Sequence, residues 1–296
     1  MTIAAMVVIV IAAAVAAGII LTAQRPSTAQ EAAAAYLRAL ESGDAAAVDA
    51  TGIDVSDATL SAFSSATENL DEATVTDVRT GDAGEAVADV AFRLDGDRHT
   101  ARLTLSRADG RWTVDAATAL GTLMPSPSLG AFVAIGDERV PAAEDLALLP
   151  ARYTVTAAPA DLLEGESVVA VMPGDQVEAT IDVALRPEAT DAAQRRLDEH
   201  LASCTEAAAA PPAGCGIRIP WGTEFRTVDG IRYRVESLPA ITLAPPTFSS
   251  GGGVLVATVT GTGQDGVPRT ETYRTESWSV RGDVAFTADG VVLTPW

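Results

Sequence analysis

The feature of this sequence that most constrains its fold is an unbroken apolar run at residues 2–23. About 20 consecutive apolar residues cross the hydrocarbon core of a bilayer as a helix, since lipid offers the backbone no other hydrogen-bonding partner. A soluble core helix of this length would need a polar face, and this run has none. Pro26 then ends the helical pattern. The sequence therefore predicts a transmembrane anchor over residues 1–25 that meets the membrane through residues 2–23.

The orientation of this anchor rests on opposing signals. Arg25 is the basic residue nearest the run, and by the positive-inside rule it favours the cytoplasm for the residues that follow. The pair of cysteines farther along the chain favours the opposite side, where disulfides form. The run is longer than the core of a secretory signal and lacks a good cleavage site, so we predict an uncleaved anchor. The expected location is the cell membrane, single-pass, with the C-terminal domains extracytoplasmic.

The charge balance excludes whole classes of partner. With 40 acidic and 20 basic residues the net charge is −20, and a chain so acidic is repelled by nucleic acids and by anionic lipid surfaces. All of the basic residues are Arg, which indicates a GC-rich genome rather than a phosphate site. The sequence contains no P-loop, dinucleotide-binding, EF-hand or nucleophile-elbow motif. We therefore predict no nucleic-acid partner, no cofactor, no metal and no catalytic residues.

Residues 26–122 carry a helical pattern that changes to a strand pattern. Thr28 and Glu31 have the spacing of a capping box, Gly43 should end the first helix, and Asp44 and Ser56 can cap two more. From residue 72 the hydrophobic period becomes two, with Asp-Gly dipeptides between the predicted strands. Helices followed by an antiparallel meander predict an α+β domain.

The segment EAAAAYLRALESGD at residues 31–44, with this order of elements, resembles the cystatin-like cone of the nuclear transport factor 2-like superfamily over about residues 27–120. The resemblance implies a fold and no single function. It implies that inward residues of the cone, among them Tyr36 and His99, are candidate ligand-binding groups. His99 shares strand parity with inward apolar residues, although it also follows closely on the turn at Asp95, where a solvated side chain is common.

The remaining chain predicts mostly strands. Residues 123–128 read as a Pro- and Ser-rich linker, and residues 129–296 as a β-rich region with one helix over 187–204. This region divides into two possible subdomains, 129–186 and 187–296. The residues at 251–253 are three glycines and indicate a flexible loop. The expected fold class is thus α+β: a transmembrane helix, a cone domain and a β-rich C-terminal region.

Cys204 and Cys215 flank a loop rich in Ala, Pro and Gly, which favours a disulfide in an extracytoplasmic domain. His200 lies one helical turn before Cys204, so a zinc site is the alternative interpretation. Zinc takes four protein ligands in a structural site, or three and a water in a catalytic one. Asp198 or Glu199 could complete the set, but the sequence offers neither CxxC nor HExxH spacing. We predict the disulfide.

These observations lead to three hypotheses on function. The first is a non-enzymatic cell-envelope module for binding or assembly, with an unknown envelope protein or a small ligand as partner. The second is binding of a small apolar ligand in the cone, with Tyr36 and His99 as polar groups. The third is an envelope hydrolase, for which the sequence supplies no catalytic constellation.

Overall fold

A computed structural model describes residues 28–208, 210, 212–218 and 224–296. The predicted transmembrane span at residues 2–23 lies outside the described residues. Within the described ranges, no helix is both long enough and apolar enough to cross a membrane.

Three short helices open the described chain, and side-chain caps fix their ends. Thr28 accepts a hydrogen bond from the Glu31 backbone N–H at 3.2 Å and the Glu31 carboxylate accepts one from the Thr28 N–H at 3.3 Å, which confirms the capping box. Gly43 ends the first helix with a left-handed φ of 67°. Asp44 and Ser56 cap the next two helices. These are α1 (Ala29–Ser42), α2 (Ala45–Asp49) and α3 (Asp57–Ser64).

An antiparallel four-stranded sheet follows, in the order β1-β2-β3-β4. At the two tight turns Asp95 and Gly96, and then Asp109 and Gly110, all have positive φ, the geometry of hairpin turns that match the strand twist. One face of the sheet packs its apolar residues on α1. The strands are β1 (Asp71–Thr80), β2 (Glu85–Leu94), β3 (Asp97–Ala108) and β4 (Arg111–Val114), with a 3₁₀ turn at Asp82–Gly84.

The middle of the chain forms three small sheets, ordered β12-β5-β8, β11-β9-β6-β7 and β10-β13. Residues 123–127, predicted as part of a linker, belong instead to β5, which pairs in parallel with β12 and antiparallel with β8. A one-turn helix, α4 (Ala116–Ala119), leads into this region. The strands are β5 (Gly121–Pro127), β6 (Phe132–Ile135), β7 (Glu138–Pro141), β8 (Leu146–Leu148), β9 (Ala151–Ala158), β10 (Leu163–Glu164), β11 (Glu166–Val171), β12 (Gln176–Ile181) and β13 (Ala184–Leu185).

The C-terminal part places one long helix against the second of two further sheets, ordered β14-β17-β18 and β15-β16-β19-β20. The helix α5 (Pro187–Cys204) has Pro at its first turn and buries one apolar face, as its sequence predicts. The strands are β14 (Phe225–Ser237), β15 (Ala240–Ala244), β16 (Thr247–Gly251), β17 (Gly253–Gly263), β18 (Pro268–Trp278), β19 (Arg281–Thr287) and β20 (Gly290–Pro295).

One apolar core connects these parts. It runs through buried residues from Ala29 to Val291, while a smaller cluster around Phe225 and Val259 lies under the β14-β17-β18 sheet. Backbone hydrogen bonds also link the first sheet region to the second, since the Thr67 N–H donates to the Arg152 carbonyl at 2.8 Å. Most of the buried apolar residues that the structure describes therefore belong to one continuous core.

The predicted α+β fold class is wrong. Of the described residues 53% are in strands and 20% in helices, and the sheets are mainly antiparallel, so the fold is mostly β. The described residues contain five α-helices, of which three precede the first sheet. The prediction weighted those three too heavily, because strands β5 to β20 outnumber the two helices that accompany them.

Candidate functional site

Tyr36 and His99, the predicted ligand-binding pair, are each engaged within the fold. Tyr36 is 1% exposed and its hydroxyl donates to the Ala119 carbonyl at 3.4 Å. His99 stacks on Phe92 with ring centroids 5.8 Å apart, and its Nε2 lies 3.2 Å from the Leu94 carbonyl oxygen. The polar atoms of the two residues thus contact different segments of backbone, and neither is presented to a ligand by these contacts.

Tyr153 is a second buried hydroxyl, which the sequence pattern did not reveal. It is fully buried and donates to the Leu149 carbonyl at 2.7 Å. Burial raises the pKa of both Tyr36 and Tyr153 far above the ordinary value, and the proximity of Tyr36 raises the pKa of Tyr153 further. Both phenols therefore remain neutral hydrogen-bond donors of the core.

The predicted disulfide between Cys204 and Cys215 is confirmed, with their Cα atoms 5.7 Å apart. His200 lies beside it, with Nε2 3.5 Å from the Cys204 sulfur and 3.4 Å from the Gly214 carbonyl oxygen. The three side chains are close enough to surround a metal ion. Because zinc binds thiolates and the two sulfurs are bonded to each other, this arrangement does not supply the ligands that zinc requires.

The disulfide holds a loop against the junction of β18 and β19. The indole N–H of buried Trp278 donates to the Cys215 carbonyl at 2.8 Å. Gly216 has a left-handed φ of 62°, and a Cβ placed there would lie 1.9 Å from the Ser279 carbonyl oxygen. Only glycine satisfies both conditions, so the loop approaches the strand more closely than a larger residue would allow. Arg218 follows two residues later.

A cleft of about 380 Å³ opens between this loop and the two strands. We call it the Arg281 cleft. The polar residues that line it are two arginines, three residues with hydroxyl groups and an exposed tryptophan: Arg218, Arg281, Thr275, Ser277, Ser279 and Trp296. Among the described residues that line it there is no Asp, Glu or His.

The alternation of side chains along β18 places its nearby carboxylate, that of Glu276, on the face opposite to the cleft. Successive side chains of β18 point to opposite faces, so Thr275 and Ser277 face one way and Arg274 and Glu276 the other. Arg274 and Glu276 form an ion pair with each other on their own face. Arg218 has no ion pair with any residue that the structure describes, and the same holds for Arg281.

Trp296 stands at the rim of the cleft. Its side chain is 66% exposed, its backbone N–H donates to the Arg281 carbonyl at 3.0 Å, and its indole Nε1–H donates to the Asp283 carboxylate at 3.4 Å. The strand register of β19 and β20 sets Trp296 opposite Arg281, so both side chains lie on one face of the sheet. Asp283 is therefore the acidic group nearest to this rim on the same strand.

A second depression, of about 410 Å³, lies on the other side of Arg281 and Trp296. We call it the Ser249 depression, since Ser249 pairs directly with Arg281 across β16 and β19. Thr242 pairs in turn with Ser249. Four exposed side chains thus form a line across the four strands of this sheet, which we call the Arg281 row: Thr242, Ser249, Arg281 and Trp296.

Sequence patterns identified the disulfide but not the cleft that it supports. A signal for part of the cleft was available, because the Asp289-Gly290 dipeptide marks the hairpin whose register sets Arg281 beside Trp296. No comparable signal existed for Arg218, whose position depends on how the disulfide loop packs against Trp278. Chemically, the cleft can bind through charge, hydroxyl groups and an aromatic surface.

Comparison with protein-family models, with curated proteins and with solved structures gave no match to this chain.

Proposed function

We propose that this chain is a non-enzymatic binding module of the cell envelope, attached to the membrane through residues 2–23, with the residues that follow outside the cytoplasm. The observation that carries the proposal is the loop held by Cys204–Cys215, which brings Arg218 into the Arg281 cleft. A disulfide favours an oxidising compartment. The apolar run at residues 2–23 supports attachment to the membrane.

The contents of the Arg281 cleft favour binding over hydrolysis. General acid–base catalysis requires a titratable group placed near the reacting atoms, and the side chains of the described lining include neither a carboxylate nor an imidazole. The cleft is also favoured over the interior of the first sheet as the ligand site, because Tyr36 and His99 are already engaged by backbone carbonyls. The resemblance of residues 27–120 to the nuclear transport factor 2-like cone suggests a scaffold for the proposed module and implies no activity.

The location is tested by thiol labelling of a single new cysteine in intact cells. Val267 is 58% exposed beside the β17–β18 turn, and the described part of the native chain has no free thiol, so Val267→Cys introduces one accessible group. A membrane-impermeant maleimide should label this variant in intact cells and should leave the wild-type protein unlabelled. After lysis and denaturation, Cys204 and Cys215 should react only if a reductant was added first.

The opposite pattern would contradict the proposal. If Val267→Cys is labelled only after cells are lysed, the domain that contains it faces the cytoplasm, and the proposed function in the cell envelope is excluded. If the wild-type cysteines react after denaturation without reductant, the disulfide does not form in the cell, and the support for the location is lost.

A further inference from the structure

From the chemistry of its walls, we infer that the Arg281 cleft binds an acidic carbohydrate, a saccharide that carries carboxylate or phosphate groups. This inference rests on the proposed binding function and specifies its ligand. It draws on three independent features of the described residues: unpaired positive charge, exposed aromatic surface beside hydroxyl groups, and a second depression that continues the first.

The charge argument comes from Arg218 and Arg281. Each guanidinium carries a permanent charge and a planar set of donors that matches the two oxygens of a carboxylate or phosphate. Eight arginines of the described chain are paired with Asp or Glu. Arg218 and Arg281 are among the described arginines without an ion pair, and these two line the same cleft. A positive cleft on a protein of net charge −20 is complementary to a small anionic group.

The sugar argument comes from Trp296 and its neighbours. The faces of sugar rings carry C–H groups, which pack on an aromatic side chain, while the ring edges carry hydroxyl groups that need hydrogen-bonding partners. Trp296 supplies the exposed aromatic surface, and its bond to Asp283 holds the indole in place. Thr275 and Ser277, whose hydroxyl oxygens lie 3.2 Å apart, supply both donors and acceptors on the adjacent wall.

The length of the ligand follows from the two depressions. The Arg281 cleft and the Ser249 depression each hold about 400 Å³ and share Arg281 and Trp296 as their common wall. Either volume alone is near the lower limit for a small-molecule site. A ligand of at least two sugar units can occupy both while its acidic group stays at the shared arginine.

The overall charge of the protein argues against a nucleic acid as the ligand. Nucleic acids carry closely spaced phosphates, with one negative charge per ~1.7 Å of duplex axis. The described lining offers two guanidinium groups, and the carboxylate of Asp283 lies beside the rim. An oligosaccharide with sparse charges meets the same two arginines with less repulsion from the remaining acidic surface.

The test uses the full chain in a nonionic detergent that contains no carbohydrate. Binding is measured on an array of oligosaccharides of matched length that are neutral, contain uronic acids or contain sugar phosphates, with single-stranded DNA as a fourth arm. We expect retention by acidic oligosaccharides, at least about tenfold weaker retention by neutral ones, and weaker binding as NaCl is raised. The acidic class that is retained distinguishes a carboxylate from a phosphate ligand.

Matched variants assign the binding to the cleft. Arg281→Gln should weaken it by roughly tenfold to a hundredfold, since it removes a charged hydrogen bond, and Trp296→Ala should weaken it independently. Arg274→Gln is the control, because Arg274 lies on the face of β18 opposite to Thr275 and Ser277 and does not line the cleft. Both cleft residues are exposed, so these variants should keep the wild-type unfolding midpoint.

Three outcomes would overturn the inference: no retention by any acidic oligosaccharide, retention unchanged in Arg281→Gln and Trp296→Ala, or equally strong retention by DNA. Its failure is distinguishable from failure of the proposed function. If Val267→Cys is labelled in intact cells and the array is negative, the envelope location stands and the ligand assignment is wrong. If labelling requires lysis, the envelope function fails whatever the array shows.

Discussion

The indole N–H of Trp278 donates to the backbone carbonyl of Cys215 at 2.8 Å, and both residues are almost fully buried. This bond joins the end of β18 to the loop closed by the disulfide. Arg218, three residues after Cys215, therefore takes its place from two constraints, one covalent and one a hydrogen bond in the core. The cleft therefore depends on a covalent bond and a hydrogen bond that lie in the core behind it.

Removing this hydrogen bond should destabilise the protein. Trp278→Phe keeps an aromatic side chain but leaves the buried Cys215 carbonyl without its donor, which costs about 1–3 kcal/mol in the free energy of unfolding. Chemical denaturation measures this loss. Trp296→Phe is the control, since Trp296 is exposed and should change stability by less than about 0.5 kcal/mol. Equal stability of the two variants would show that the Trp278 bond does not support the fold.

Removing the disulfide should also lower stability. The cysteines are 11 residues apart, and closing a loop of this size contributes about 3 kcal/mol in the chain-entropy model. The double variant Cys204→Ser, Cys215→Ser should unfold at lower denaturant concentration, and reductant should have no further effect on it. Wild-type protein measured in reductant should approach the same midpoint. A double variant as stable as oxidised wild type would mean that the cross-link contributes nothing.

Two glycines with similar backbone geometry separate steric overlap from backbone strain. Gly216 and Gly96 both have left-handed φ, of 62° and 79°, but only at Gly216 would an added Cβ overlap another atom, the Ser279 carbonyl oxygen. Gly96→Ala should therefore cost about 1–2 kcal/mol from the backbone alone. Gly216→Ala should cost more and should also weaken binding in the Arg281 cleft, as measured by denaturation and by the oligosaccharide array. Equal costs would mean that the loop moves freely away from the strand.

Alkaline pH should destabilise the protein through its tyrosines. The sequence contains no Lys, so tyrosines are the side chains that titrate near pH 10. Burial raises the pKa of Tyr36 and Tyr153 in the folded state, so their contribution is complete below the unfolded value of about 10 and is lost as the pH rises above it. Each should remove about 1.4 kcal/mol of stability per pH unit above 10.

The measurement is denaturation at pH 9 and pH 11. The double variant Tyr36→Phe, Tyr153→Phe should lose less stability between these two values than the wild type does. Two further tyrosines contribute equally to both proteins: burial and the hydrogen bond to Glu224 raise the pKa of Tyr273 to about 12, and burial raises the pKa of Tyr233. An equal loss in both proteins would show that the two buried phenols do not ionise on unfolding.

Local signals in the sequence were sufficient for many helix and turn positions. The caps at Thr28, Asp44 and Ser56 act within a few residues of the backbone they bind, so their chemistry is visible in sequence. The helix over 187–204 has the predicted bounds because Pro187 and the apolar spacing define it. The disulfide could be predicted for the same reason, since its two cysteines are close along the chain.

Strand pairing between distant segments could not be predicted from the sequence. Pro125 and Pro127 indicate a linker when they are considered locally, yet they lie in β5, where the parallel partner strand begins at Gln176. The three glycines at 251–253 were predicted to form a flexible loop, but Gly251 ends one strand and Gly253 begins the next. In both cases the deciding contact comes from a distant segment, and the same is true of the loop that carries Arg218.

The Arg281 row has a further consequence, because it runs across its sheet rather than along a strand. Neighbouring strands are ~4.8 Å apart, so the distance from Thr242 to Trp296 spans three intervals, about 14 Å. An extended ligand bound along this row would contact a different strand about every 4.8 Å. Each position of the row can then be altered by one substitution in a different strand. Comparing such variants would show at which distances along a bound polymer its groups contact the protein.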